Sequence, residues 1–312
     1  MKSVKSWLPG SIFFLATSMW AAVPAHPGML NYVEGRASID GQAITSSSVG
    51  SAEVSEGQRI ETGQGKAEIL LTPGVFLRLG DNSSVRMDSA GLTNTRVAVL
   101  SGRVMVEADN LQKENDIQIV QNGAISRLEK DGIYRFSSNP PEVATFDGKL
   151  RVTENDQSAE LGKGHAALLN EPLKSTKFDR KADEKDPLYQ WSKVRSEYLA
   201  ESSVATARTL VVDNSGWYGG GWYWNPWYAS YSWIPGGGMF WNPFGFGFYS
   251  PYSVWAAPAY SYYGFHRGVA PIRGVVRPGF RGAGVHPGFR TSGFGRSSMG
   301  GMHSSRGGFG RR

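Results

Sequence analysis

Between Met29 and Asn170 apolar residues alternate with polar or small ones in short runs, and this alternation restricts the fold more than any other feature of the chain. Such runs include Val75–Leu79 (VFLRL), Arg103–Glu107 (RVMVE), Ile133–Phe136 (IYRF) and Lys149–Thr153 (KLRVT). A period of two sends successive side chains to opposite faces, one buried and one solvated. Turn formers stand between the runs: Asp40-Gly41, Thr62-Gly63, Pro73-Gly74, Asp131-Gly132 and Asp147-Gly148. Asp-Gly supplies the positive φ angles of tight hairpins. About a dozen short strands with no helical period predict a mainly β domain over 29–170, and a sandwich, a barrel and a short β-solenoid all fit. Roughly 140 residues suffice for a core without staples. The chain has no cysteine, so neither disulfides nor a lipidated cysteine can hold or anchor it.

The order of these elements carries a resemblance. Gly57, Ile60, Thr62, Gly63, Ala67, Ile69 and Leu71 follow a "G–x–x–I–x–T–G…A–x–I–x–L" pattern, and Leu100, Gly102 and Val104 follow "L–x–G–x–V". Farther on, Val143, Asp147, Gly148, Leu150, Val152, Leu161 and Gly164 fit a strand pair closed by an "L–x–x–G" turn. This pattern resembles the FecR domain, the extracytoplasmic β-domain of iron-transport regulators. Two departures stand out. Pro73-Gly74-Val75 replaces the family's "DGS", and a signal-like N-terminus replaces the sigma-factor-binding segment and spanning helix. The matched positions, with Gly57, Thr62, Gly63, Gly102, Gly148 and Gly164 as structural turns, imply a fold and no activity.

A helix is expected next, within 171–212. Asp186-Pro187 has the form of an N-cap followed by proline at the first helical position. Leu188, Trp191, Val194, Tyr198 and Leu199 recur at helical spacing and predict one apolar face.

From 213 to 265 the composition turns to aromatic residues, Gly, Pro, Asn and Ser, and from 266 to 312 to Gly and Arg. Both segments read as low-complexity, and the tail is expected to be largely disordered. A four-residue unit recurs in the first: WNPW (224–227), WNPF (241–244) and YSPY (249–252). Asn-Pro and Ser-Pro favour turns, so each unit is a bend that splays two rings. The second repeats PGFR at 278–281 and 287–290. Trp224, Trp227, Trp241, Phe244, Tyr249, Tyr252, Arg281 and Arg290 are the candidate binding residues, through ring stacking and pairing of Arg with anionic groups.

Residues 1–25 have the anatomy of a signal peptide: Lys2 and Lys5, an apolar run, then Val23-Pro24-Ala25 with cleavage expected after Ala25. Pro9 and Gly10 leave a run shorter than the ~20 residues of a spanning helix. A periplasmic or secreted protein is therefore expected. From Leu210 onward there are nine Arg, no Lys and one acid, Asp213, a balance of +8 against −2 for the remainder. That asymmetry reads as a folded body with a basic interaction tail. Arg-Gly-Phe tracts can bind nucleic acid, but an exported chain seldom meets one, so no nucleic acid is expected.

Signals for catalysis are absent from the sequence. It has no G-x-S-x-G elbow, no phosphate-binding loop and no pair of histidines at metal-ligand spacing. His165 reads as a turn histidine, and Asp81–Ser84 and Glu154–Ser158 as solvated loops. The sequence thus predicts a non-enzymatic binding or structural module at the cell envelope, without cofactor or metal. Its expected partners are an envelope polymer, a membrane surface, a protein, or copies of itself through the tail. The alternative is a sensory module of an envelope signalling system, anchored by an uncleaved N-terminal helix.

Overall fold

The alternating runs form one 15-stranded sheet that folds back on itself. The computed structural model describes residues 25–212, 217 and 219–255; residues 1–24 and 256–312, with Arg281 and Arg290, lie outside the described residues. The first strands are β1 (Leu30–Ile39), β2 (Gln42–Ile44), β3 (Arg59–Leu70), β4 (Val75–Leu79), β5 (Ser84–Gly91), β6 (Asn94–Ser101) and β7 (Arg103–Ala108). They continue as β8 (Ile117–Gln121), β9 (Ala124–Leu128), β10 (Gly132–Ser138), β11 (Pro141–Asp147), β12 (Lys149–Glu154), β13 (Gln157–Gly162), β14 (His165–Leu168) and β15 (Thr176–Lys177). The order is β13-β12-β9-β8-β6-β5-β3-β4-β7-β10-β11-β14-β15, with β1 paired to β2 and β3. Of these pairings only β6–β8 is parallel. At Asp40 (φ 47°) and Gly41 (φ 80°), two consecutive left-handed residues make the tight β1–β2 turn.

Strand β3 is where the sheet folds over. Its first residues, Arg59–Glu61, pair with β5, and its last, Ala67–Leu70, pair with β4. One layer therefore runs from β5 to β13 and the other from β4 to β15, a sandwich-like arrangement. Ile69, Leu77, Val106 and Phe136 of one layer enclose a common core with Val97, Ile119, Leu150 and Leu161 of the other. Thr62-Gly63 lies within β3 and is not a hairpin turn, which corrects that expectation. Here the strand changes partners, and the β4–β5 loop bonds across it: Thr62 Oγ1 donates to Gly80 O (2.6 Å) and Asn82 N–H to Gly63 O (2.8 Å). Gly57, Gly102, Gly148 and Gly164 occupy turns with positive φ.

After β15 come a short helix, α1 (Arg180–Asp183), and a long one, α2 (Pro187–Val212). Asp186 Oδ1 accepts from Leu188 N–H (2.8 Å) and Tyr189 N–H (3.3 Å), which caps α2 at the residue before Pro187. The buried face of α2 differs from the apolar stripe expected. It carries Leu188, Ser192, Arg195, Ser196, Leu199, Ala200, Ser202, Ser203, Thr206 and Ala207, whereas Val194 is exposed. Small and polar residues let the helix sit close to its neighbours and bond to them. Among the described residues, no helix is long and apolar enough to cross a membrane.

Within the aromatic segment, residues 219–255 are folded despite their low-complexity composition. They form two antiparallel hairpins, β16 (Gly221–Asn225) with β17 (Ser230–Ile234), and β18 (Met239–Trp241) with β19 (Gly247–Tyr249). Their partner is the outer face of the β4-side layer. Leu70 and Phe76 of the sheet, Leu199 and Ala200 of α2, and Tyr231, Trp233 and Phe248 of the hairpins form one cluster. Met105, Ile133, Ala144 and Phe146 form another with Leu188, joined by Tyr189, Trp191 and Phe244. The β4-side layer is thus buried on both faces, and α2 and the hairpins together cap its outer one.

Candidate functional site

At the centre of the capped face, strand alternation points three charged side chains outward: Glu68 on β3, Arg78 on β4 and Glu107 on β7. All three are buried. Arg78 Nε donates to Glu68 Oε2 (2.7 Å) and its Nη1 to Glu107 Oε2 (2.5 Å). From α2, Arg195 donates to Glu68 Oε1 (2.9 Å), and its guanidinium lies 4.1 Å from the centre of the Tyr32 ring. Ser196 Oγ donates to Glu107 Oε1 (2.6 Å).

Each hairpin is tied to the same cluster. Asn31 Nδ2 donates to Glu68 Oε1 (2.9 Å), and its Oδ1 accepts from Tyr231 N–H (2.7 Å). Asn242 Nδ2 donates to Glu107 Oε1 (2.7 Å) and Ser196 Oγ (2.5 Å). Burial pushes the Glu68 carboxyl up, but Arg195 and Arg78 more than offset it and hold it at about 2. For Arg78, burial is outweighed by Glu107 and Glu68, which raise its pKa.

The repeated four-residue unit follows one rule in space. Its polar residue is buried and fixes a turn. Asn225 Oδ1 accepts from Trp227 N–H (3.0 Å), while its Nδ2 donates to Thr206 of α2 (2.8 Å). Asn242 Oδ1 accepts from Phe246 N–H (2.8 Å). Ser250 O accepts from Ser253 and Val254 N–H. One ring of each unit then faces inward. Trp224 packs on Tyr231, Phe244 on Tyr189, and Tyr249 joins Ala207 and Ile234. The other ring faces outward: Trp227 is 86% exposed, Trp241 46% and Tyr252 80%. Trp255, which the sequence reading did not single out, is 65% exposed. Of the described candidate binding residues, Trp227, Trp241 and Tyr252 can thus meet a ligand, whereas Trp224, Phe244 and Tyr249 hold the scaffold.

Sequence reasoning missed the buried network. A signal was present: the outward positions beside Glu68, Arg78 and Glu107 are Leu70, Phe76 and Met105. A solvated face would not carry these, so the three charges stand among residues that require a cover.

Among the described residues, no group of three or more His, Asp or Glu could hold a metal ion. His165 Nδ1 lies 3.2 Å from Lys163 O in its turn. An open groove at the start of α2, lined by Lys66, Asp81, Arg103 and Asp186, has its charges paired: Lys66 with Asp81 and Arg103 with Asp186.

No family model and no curated protein matches the chain. Two crystal structures of a proposed anti-sigma factor from Parabacteroides distasonis are similar to it. They share 11% and 12% identity, each with a TM-score of 0.35. Each match covers 39% of this chain, and the chain spans about three fifths (61%) of the length of those structures.

Proposed function

We propose that this chain is an exported, non-enzymatic β-module related to FecR domains, and that it binds a component of the cell envelope through rings held on its aromatic cap. The observation that carries this reading is the one-in, one-out placement of the repeated unit. Protein-folding needs account for the inward rings. They do not account for the exposure of Trp227, Tyr252 and Trp255 on turns fixed by buried polar residues; Tyr252 meets Trp217 edge to face (centroids 5.0 Å) and is still 80% exposed. Exposed rings on an ordered scaffold lose little conformational entropy on binding, and tryptophan and tyrosine dominate contact energies. The cap carries no charged residue from 217 to 255, and the nine arginines that follow add attraction to anionic polymer or headgroups.

The test uses sedimentation of the full chain with isolated envelopes. Replacing Trp227, Tyr252 and Trp255 together by Ser is expected to lower the bound fraction at least tenfold with the fold retained. Unchanged binding would overturn the assignment to the rings. A chain ending after Trp255 reports the share of the arginines separately. A cut at Val212 would not, because it strips the cap from the sheet.

A further inference from the structure

A fourth buried acid, Asp109, lies beside the network and takes no part in the proposed binding. It follows β7, its N–H donates to Gly74 O (2.7 Å), and both it and its neighbour Glu107 are buried. No donor reaches either Asp109 carboxyl oxygen. Gly74, at the β3–β4 turn, is also where Trp233 of the first hairpin touches the sheet: a Cβ built on Gly74 would stand 3.2 Å from the Trp233 ring. Asp109 therefore lies at the seam between sheet and cap.

The buried charges here do not balance. Three carboxyls, Glu68, Glu107 and Asp109, face two guanidiniums, Arg78 and Arg195. Both guanidiniums are engaged by Glu68 and Glu107. A further ionisable neighbour is Asp131, in the β9–β10 connection, and it is acidic; its Oδ1 accepts from Leu111 N–H (2.7 Å). From the cap, α2 presents Arg195, and the hairpins bring no acid, lysine, arginine or histidine. An unpaired buried charge is far more costly than a neutral acid, so the site requires a proton on Asp109. Burial first, then Glu107 and Asp131, push this carboxyl well above its usual range against the pull of Arg78.

We propose that the Glu107–Asp109 pair is a proton-held latch on the aromatic cap. While the pair keeps one proton, α2 and both hairpins stay seated. Loss of that proton adds a second negative charge beside the carboxylate that Ser196 and Asn242 grip, and the cap loosens while the inner core remains folded. The sign follows from linkage. Asp109 has a raised pKa when the cap is closed and an ordinary one when it is open, so its contribution to closure is greatest below the ordinary aspartate range. It weakens as pH rises from the ordinary aspartate range to the raised value.

Hydrogen exchange of the full chain across pH tests this, after correction for the intrinsic chemistry of exchange. The opening constant of segments within 187–249 should rise about tenfold per pH unit in that window, while β8 and β12 stay flat. In Asp109→Asn the slope should vanish. The same slope in that variant, or in β8 and β12, would overturn the latch. Should Asp109→Asn fail to fold, the infrared spectrum of the unaltered protein decides. A protonated-carboxyl band persisting at neutral pH supports the latch, and its absence overturns it.

Discussion

The two faces of the β4-side layer are built on opposite principles. The inner face meets the second layer through Ile69, Leu77, Val106 and Phe136, and its cohesion is apolar burial. The outer face meets α2 and the hairpins through rings grouped around a hydrogen-bonded cluster of Glu68, Arg78, Glu107, Arg195 and Asn242. Apolar contacts are non-directional and tolerate small shifts, whereas a buried guanidinium between two carboxylates accepts one geometry only. The inner face thus supplies stability. The outer face supplies register, seating one helix and two hairpins in a single arrangement.

Substitutions can break this contrast. The largest effect is expected from Phe136→Ala on the inner face, about 4 kcal/mol, with the whole sheet unfolding in one denaturant transition. Arg78→Ala should cost about 3 kcal/mol by leaving Glu68 and Glu107 partly unpaired. Its signature in hydrogen exchange is early opening of 187–249 ahead of β8 and β12. If both variants open the same segments together, the two faces are one cooperative unit and the contrast fails.

Acid sharpens the comparison. The Glu68 carboxyl is held at about 2, so the stability it contributes is present above the ordinary carboxylate range and is lost as pH falls toward 2. The shift amounts to about 3 kcal/mol at most. Stability curves between pH 5 and 2 should show this loss and should flatten in Arg195→Met, which removes one of its two cations. Asn242→Ala comes next, at about 2 kcal/mol, because Glu107 and Ser196 each lose a buried partner. The smallest stability effect belongs to Trp227→Ser, within about 0.5 kcal/mol by thermal unfolding.

The parts legible in sequence were those set by local chemistry. Period-two runs marked strands, Asp40-Gly41 marked a tight turn, and Asp186-Pro187 marked the start of a helix. The aromatic segment was illegible as structure because its order is borrowed. No period within 217–255 announces strands three to five residues long; the segment is ordered by rings such as Phe76 and Phe146, more than seventy positions earlier in the chain. Thr62-Gly63 misled for a related reason. Composition marked a turn, but β3 uses those residues to change partners. The repeated unit was correctly seen as a bend with two splayed rings, while which ring faces solvent depended on α2 and the sheet.

The length of chain between Arg78 and Asn242 also bears on how the protein is made. Glu68, Arg78 and Glu107 come together within the first 107 residues of the chain, whereas Arg195, Ser196 and Asn242 follow 88 or more residues later. A chain emerging from its N-terminus therefore completes its sheet while one face is still bare, with charges half-paired and Leu70, Phe76 and Phe146 open to other molecules. Late, long-range closure of this kind is slow and vulnerable to aggregation. A product cut short before the second hairpin would leave uncovered part of the very face that the finished protein conceals.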